Sequence, residues 1–320
     1  MTDRNLPPGD GYAALDEAEG LTVEPVTQWQ LFRSRFVRHR LAMMAAVVLG
    51  IILALALFAD FLPLENPTDQ LEDDNGRIVN LLSPRAEYWF GTDELGQDVL
   101  SRVIYGGRTS LTVAVLTGLM VATFGTLVGS IAGYYGGWID TLLMRFTDLI
   151  LSLPLLPVAI VAAAWLREAF RGREALSLAI LLGTLLWGTL ARIVRAEFLS
   201  LREKEFVEAA RAAGARDRRI IFRHILPNAL SPIIVNATLV IGLAIILEAA
   251  LSFLGFGVRP PEPAWGAMAA NGGRLAVGGS GAWWLVLFPS VALIVTVLSV
   301  NFLGDGLRDA LDPTQTIERR

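Results

Sequence analysis

Side chains able to do chemistry are scarce in this chain. Its two histidines, His39 and His224, lie far apart in sequence, each beside an arginine, and there is no cysteine. A Ser-His-Asp triad, a His-based metal site, a cysteine zinc site, a thiol nucleophile and a disulfide framework all lack their raw materials. Lysine occurs once, at Lys204, between Glu203 and Glu205. A phosphate-binding P-loop needs Gly-Lys followed by Ser or Thr, because that lysine neutralises the nucleotide phosphates. This chain cannot build one, so ATP, if it drives the work, is bound by another chain. No cofactor, metal or nucleic-acid site is expected here.

One stretch is dense in ionisable groups, and it runs from Arg202 to Pro227. Its charge places it in water, and its Ala, Glu and Arg content favours helix. Phe206, Ala210 and Ala213 recur at i, i+4 and i+7 and predict an apolar stripe. Gly214 can end that helix by adopting the left-handed conformation. A second amphipathic helix is expected after it, with Ile220, Ile221 and Ile225 as apolar residues and Pro227 punctuating it. A helix–Gly–helix carrying small alanines suits docking into a groove on a partner. A basic amphipathic helix also suits an anionic lipid surface, and the residues alone leave both open.

The elements that must position this stretch are apolar. The chain has 320 residues, 53% hydrophobic and 18% charged, against about 25% charged in a soluble domain. A helix needs about 20 apolar residues to cross the hydrocarbon core. Leu41–Ala59, Leu111–Ala132, Leu149–Trp165 with Leu142–Phe146 before it, Leu176–Ala191, Pro232–Leu251 and Trp283–Leu303 qualify. Spanning backbone must satisfy its own polar groups, so these are expected to be helices. With the N-terminus in the cytoplasm, 18 of the 27 Lys and Arg residues fall on the cytoplasmic side. The bias puts both termini inside and the acidic run Glu65 to Asp74 outside. The acidic start followed by a basic segment, Arg33 to Arg40, reads as a retained anchor after a tail, not as a cleaved leader.

Inside the spans, Gly125, Gly129 and Gly133 sit four apart, a stripe that lets a helix approach closely, within the chain or from another subunit. Glu248 is the carboxylate deep in the fifth span; it either borders a substrate pathway or reaches the interface. Arg145 and Asp148 are placed to pair along one helix face. Trp265 and Trp283-Trp284 read as interfacial anchors. The Gly/Pro-rich stretch 255–281 reads as a docking surface or a gate.

The motifs resemble a known family. Glu208-Ala209-Ala210, three residues, then Gly214, then Leu226-Pro227 is similar to the signature of importer permeases of the ATP-binding cassette class. His224 stands where that signature has Ile. The stretch Phe90 to Leu111, the run Glu248 to Gly257 with Pro260-Pro261 and Trp265-Gly266 behind it, and the tail Asn301 to Pro313 resemble the C-type subunit of dipeptide and oligopeptide permeases. The resemblance implies an all-α integral membrane protein with six transmembrane helices, the type I importer fold, an added N-terminal helix and a cytoplasmic coupling helix. It implies that Glu208, Ala209, Ala210, Gly214, Leu226 and Pro227 couple to the ATPase, with Glu248 a candidate for the substrate pathway. It also implies partners: a homologous permease forming a heterodimer, two ATPase subunits that bind ATP and Mg, an extracytoplasmic peptide-binding protein, and the lipid of a bacterial inner membrane.

The expected organisation is a mobile cytoplasmic tail over 1–28, the basic segment and first span over 29–62, and an extracytoplasmic loop and lead-in over 63–108. A five-helix core over 109–305 follows, with the coupling loop at 202–227, and then a cytoplasmic tail over 306–320. The alternative function is an ion-coupled secondary transporter, for which Glu248 would be the midplane carboxylate; the sequence shows no paired interrupted helices. A channel would need a filter-like segment and a membrane enzyme a convergent acid–base set, and the sequence offers neither.

Overall fold

The computed structural model describes residues 28–311; the tail expected over 1–28 and the last part of that expected over 306–320 fall largely outside them. The described residues form α1 (Gln28–Arg38), α2 (Arg40–Leu57), α3 (Val99–Tyr135), α4 (Gly137–Ser152), α5 (Leu155–Ala169), α6 (Glu174–Leu201), α7 (Glu205–Ala212), α8 (Asp217–Phe253), α9 (Trp265–Val277) and α10 (Trp284–Leu311). Five of them, α2, α3, α6, α8 and α10, are long and apolar enough to cross a membrane, and α4 and α5 meet the same measure only when taken together as a pair bent by 88°. The bend falls at Leu153-Pro154. Proline disfavours helical backbone in the residue before it, and Leu153 is extended. The apolar runs predict a helical third span there and give no sign of this bend.

Helix α3 is longer than its apolar run. It begins at Val99, where the Asp98 side chain accepts from the Ser101 N–H at 2.8 Å, a cap that the apolar count from Leu111 could not register. Burial pushes the Asp98 carboxyl above its ordinary range. At the opposite end, Gly136 takes φ +66° and the chain turns at once into α4.

The glycine stripe is an intramolecular contact. A Cβ on Gly129 would lie 2.4 Å from the Ala191 carbonyl oxygen, and one on Gly133 2.6 Å from Phe198 Cβ, so α3 and α6 meet backbone to backbone. Helix α8 packs on α3, α10 packs on α8, and α2 lies against α10 and α3. His39 caps α2, its Nδ1 accepting from Ala42 N–H at 3.1 Å, and its Nε2 is 3.6 Å from Asp309 of α10.

Between α2 and α3 the chain forms two turns of the same design. Asp73 accepts from the N–H groups of Asn75 and Arg77, and Asp93 accepts from those of Leu95 and Gln97; Gly76 and Gly96 take matching positive φ. Arg102 ties this segment down through Pro67 O at 2.8 Å, the Gln97 side chain, and Asp93 at 3.4 Å. Asp60, just after α2, receives hydrogen bonds from Arg108 and Tyr105 of α3, which hold its carboxyl below the usual range.

Two tryptophans read as interfacial anchors are core residues. Trp265 is buried, its Nε1 donating to Val103 O at 2.7 Å, and its ring lies over Gly107, where a Cβ would be 2.9 Å away. Trp284 is buried and donates to Thr92 O at 3.1 Å. Only Trp283 of the three stands exposed. Helices at this end leave room for indoles above glycine, and a buried indole N–H finds a carbonyl.

Candidate functional site

The stretch from Arg202 to Pro227 folds as a short helix, a turn, and the first residues of α8. Helix α7 opens at Lys204, whose backbone is extended, and ends at Gly214 with φ +77°. There the Ala215 N–H reaches Ala210 O at 3.0 Å and the Gly214 N–H reaches Arg211 O at 2.9 Å. A side chain at this left-handed position would be strained, which is why glycine stands there.

The buried stripe of α7 is displaced from the one expected. Val207 is fully buried with Ala210 beside it, against Ile220, Ile225 and Phe198, whereas Phe206 is 41% exposed and Ala213 exposed. The i, i+3 pair of Val207 and Ala210 wins over the pattern through Phe206, because the pocket that it fills is made by Phe198 of α6 and by Ile220 and Ile225 at the start of α8. Glu205, Glu208 and Ala209 are exposed at i, i+3 and i+4, so the free face carries two carboxylates and small side chains.

The second half of the stretch does not form a separate helix. It is the beginning of α8, which runs unbroken from Asp217 to Phe253, past Pro227 and Pro232. Residues Ile220–Ile225 form a π-helical turn, and the Leu226 N–H bonds Ile221 O, five residues back. Such wide turns accommodate a residue without an N–H. Asn228 and Asn236 each donate a side-chain amide to a carbonyl four residues back, His224 O at 2.6 Å and Pro232 O at 2.9 Å. Leu226 and Pro227 thus sit in a continuous rod and not at its boundary.

Polar contacts clamp this unit to the end of α3. The Tyr134 hydroxyl donates to Asp217 Oδ1 at 2.7 Å, the Arg211 guanidinium lies 5.9 Å from the Tyr134 ring, and Arg202 donates to the carbonyls of Gly133 and Tyr134 at 3.2 and 3.3 Å. Nearby, α4 is fastened to α6: Arg195 donates twice to Asp140, at 2.5 and 2.6 Å, and Arg192 donates to Asp148 at 2.6 Å. Asp148 therefore pairs across helices with Arg192 and not along its own helix with Arg145.

Glu248 lies in the interior. It is fully buried, accepting from Ser252 Oγ at 2.7 Å and from Ser110 Oγ at 3.2 Å, while Ser110 Oγ accepts from the Trp265 N–H at 3.3 Å. One carboxyl group thus links α8 to α3 and, through Ser110, to the start of α9. Glu248→Leu is expected to strand these hydroxyls at a cost of about 1–3 kcal/mol, whereas Glu248→Gln keeps an acceptor and a donor in place. Thermal unfolding of the purified complex checks this, with a lower midpoint for Leu than for Gln.

Residues 125–317 match the family described as binding-protein-dependent transport system inner membrane component, and residues 27–84 match the N-terminal TM domain of oligopeptide transport permease C. The chain belongs to this permease family. It is 40% identical over 309 residues to a dipeptide transport system permease protein of Alkalihalophilus pseudofirmus, covering 96% of this chain and 93% of the relative. It is 37% identical over 299 residues to an oligopeptide transport system permease protein of Haemophilus influenzae, covering 93% and 92%. It is 40% identical over 289 residues to a glutathione transport system permease protein of Escherichia coli, covering 90% and 91%. Its fold is similar to that of the methionine ABC transporter MetNI in inward-facing form, with a TM-score of 0.53 at 18% identity over 66% of this chain and 96% of that one. The fold is thus the type I importer permease fold, all α and membrane-spanning.

As a permease of this family, the chain is a membrane component whose ATP hydrolysis is carried by separate ATPase subunits, and the family works with a substrate-binding protein. Sequence reasoning brought forward the residues of the α7 turn. It missed Val207, the Tyr134–Asp217 contact and the α4–α6 ion pairs. The polar contacts depend on partners tens of residues away, such as Asp140 with Arg195, and the burial of Val207 depends on how Phe198, Ile220 and Ile225 are brought together; no local spacing signals either.

Proposed function

We propose that this permease forms, with a homologous permease, the path for di- or oligopeptides delivered by an extracytoplasmic binding protein, in a complex driven by two ATPase subunits that bind ATP and Mg. The observation that carries the substrate class is the likeness over nearly the whole chain to permeases named for dipeptides and oligopeptides. Lys/Arg bias supports both termini in the cytoplasm, which puts α7 there and α9 outside.

The α7 turn is the proposed coupling segment. Its support is geometric: Val207 wedges one face into the bundle, while Glu208 and Ala209 stand free. Ala210 and Gly214 shape the turn, and Leu226 and Pro227 continue it into α8. A push on this segment passes directly into a spanning rod and, through Tyr134, into α3. Two arrangements of the permease pair would then be biased by nucleotide on one side and by the binding protein on the other. Glu248, expected on the pathway, is proposed to hold the wall of that path, a role its burial between α3, α8 and α9 supports.

Copurification and uptake test this. A tagged chain gently extracted from membranes is expected to bring down a second permease and one or two Walker-motif ATPases. With the neighbouring binding protein, the reconstituted complex is expected to take up alanine peptides only with ATP. Emergence of the chain alone, with uptake following an ion gradient, would transfer the function to ion-coupled transport and make Glu248 the first residue to substitute.

A further inference from the structure

Two of the candidate spanning segments carry exposed charge. A charged side chain facing hydrocarbon is costly, so ionisable groups in spans face protein or water. Helix α4 nonetheless exposes Arg145, Asp148 and Ser152 on one face, at i, i+3 and i+7, and α6 exposes Thr189 and Arg192 beside it. The two helices lie antiparallel. Arg195 meets Asp140 near one end, and Gly188, midway along α6, meets Leu151 and Thr147 near the bend. The polar face therefore reaches from the α7 end to the middle of the bundle, where the span breaks. At its centre Asp148 and Arg192 pair at 2.6 Å with about half of each side chain exposed, 51% and 53%.

We infer that the exposed Asp148–Arg192 pair is a contact point for the charged ends of the transported peptide in the inner half of the path. The inference rests on the peptide-importer reading above. A free peptide carries one ammonium and one carboxylate. Arg192 offers a planar donor fork to a carboxylate, and Asp148 an acceptor to an ammonium. When no peptide is present the two side chains satisfy each other. A passing peptide exchanges one ion pair for two, so the contact costs little to make or to leave, as a transport path requires. An apolar wall would offer the peptide's charges nothing at this depth.

The chain has no cysteine, so Thr189→Cys introduces the sole thiol of this subunit beside the pair. The assembled, nucleotide-free complex is treated with a charged methanethiosulfonate reagent, and labelling of this chain is followed by mass. A cysteine at Leu119, on an exposed apolar face of α3, serves as the comparison site. The expected result is ready labelling at 189, slowed about tenfold by saturating dialanine, a change equivalent to about 1.4 kcal/mol. N-acetyl-dialanine amide, which has no charged ends, is expected not to slow it, and Asp148→Asn is expected to remove the protection by dialanine. Labelling at 189 no faster than at 119 would mean that lipid or the second permease covers this face, and would overturn the inference. Equal protection by the capped and free peptides, or protection surviving Asp148→Asn, would overturn it too. Failure of the unsubstituted complex to import alanine peptides with ATP would instead overturn the peptide-importer reading itself.

Discussion

Ala209→Trp is expected to lower ATP-driven uptake by about two orders of magnitude, near the upper end of ordinary coupling energies, while the complex still reaches the membrane. Ala209 is exposed on the free face of α7, away from the buried Val207, so an indole there leaves the fold of the permease intact and obstructs only what approaches from outside. Glu208→Arg reverses one of the two exposed carboxylates of α7, Glu205 being the other, without adding comparable bulk. Both variants are measured in the reconstituted complex by uptake and by substrate-stimulated ATP hydrolysis. Loss of both responses at normal membrane abundance is the expected outcome. Unchanged substrate-stimulated hydrolysis would remove α7 from the coupling role. Val207→Ala offers the contrast: it empties a buried site between α6 and α8, and it should lower thermal stability while leaving the docking face as it is.

The largest expected effect on folding comes from Gly129→Val. A Cβ there would stand 2.4 Å from the Ala191 carbonyl oxygen and 2.7 Å from Val194 Cβ. The first neighbour is backbone, so no rotamer change relieves the clash and α3 must separate from α6. Overpacking of this kind costs about 3 kcal/mol, at the high end of the usual range, because a whole helix interface moves. The variant is expected to be depleted from the membrane, and any protein recovered in detergent should unfold at a clearly lower temperature. Gly50→Ala in α2 serves as the comparison, since a Cβ there meets nothing within 4 Å. A Gly129→Val protein as stable as the parent would mean that the α3–α6 contact contributes little to holding the bundle.

The apolar runs were legible because membrane burial depends on residue type summed over about 20 positions. Leu41–Ala59 and Arg40–Leu57 differ only at their ends for that reason. Capping and breaks were less legible, because they depend on one residue each. Asp98 lengthened α3 and Leu153-Pro154 folded the third span, and neither changes a hydropathy sum. The α7 turn could be located from its glycine and its charge, but not the direction it faces. Val207 is chosen over Phe206 by a pocket that α6 and α8 build. Trp265 and Trp284 were misplaced for the same reason: an indole suits a headgroup region and a core equally, and the carbonyls of Val103 and Thr92 that receive them lie far away in sequence.

The close contact of α3 with α6 also limits how this permease can move. Helices held through side chains can slide by exchanging rotamers, but backbones meeting at Gly129 and Gly133 have no such slack. Asp140–Arg195 and Asp148–Arg192 attach α4 to the same pair. These three helices then form a single mechanical body with few internal degrees of freedom. Any movement of this body relative to the other helices must take place at its margins. The nearest break in the helices beside this body is the 88° bend before α5.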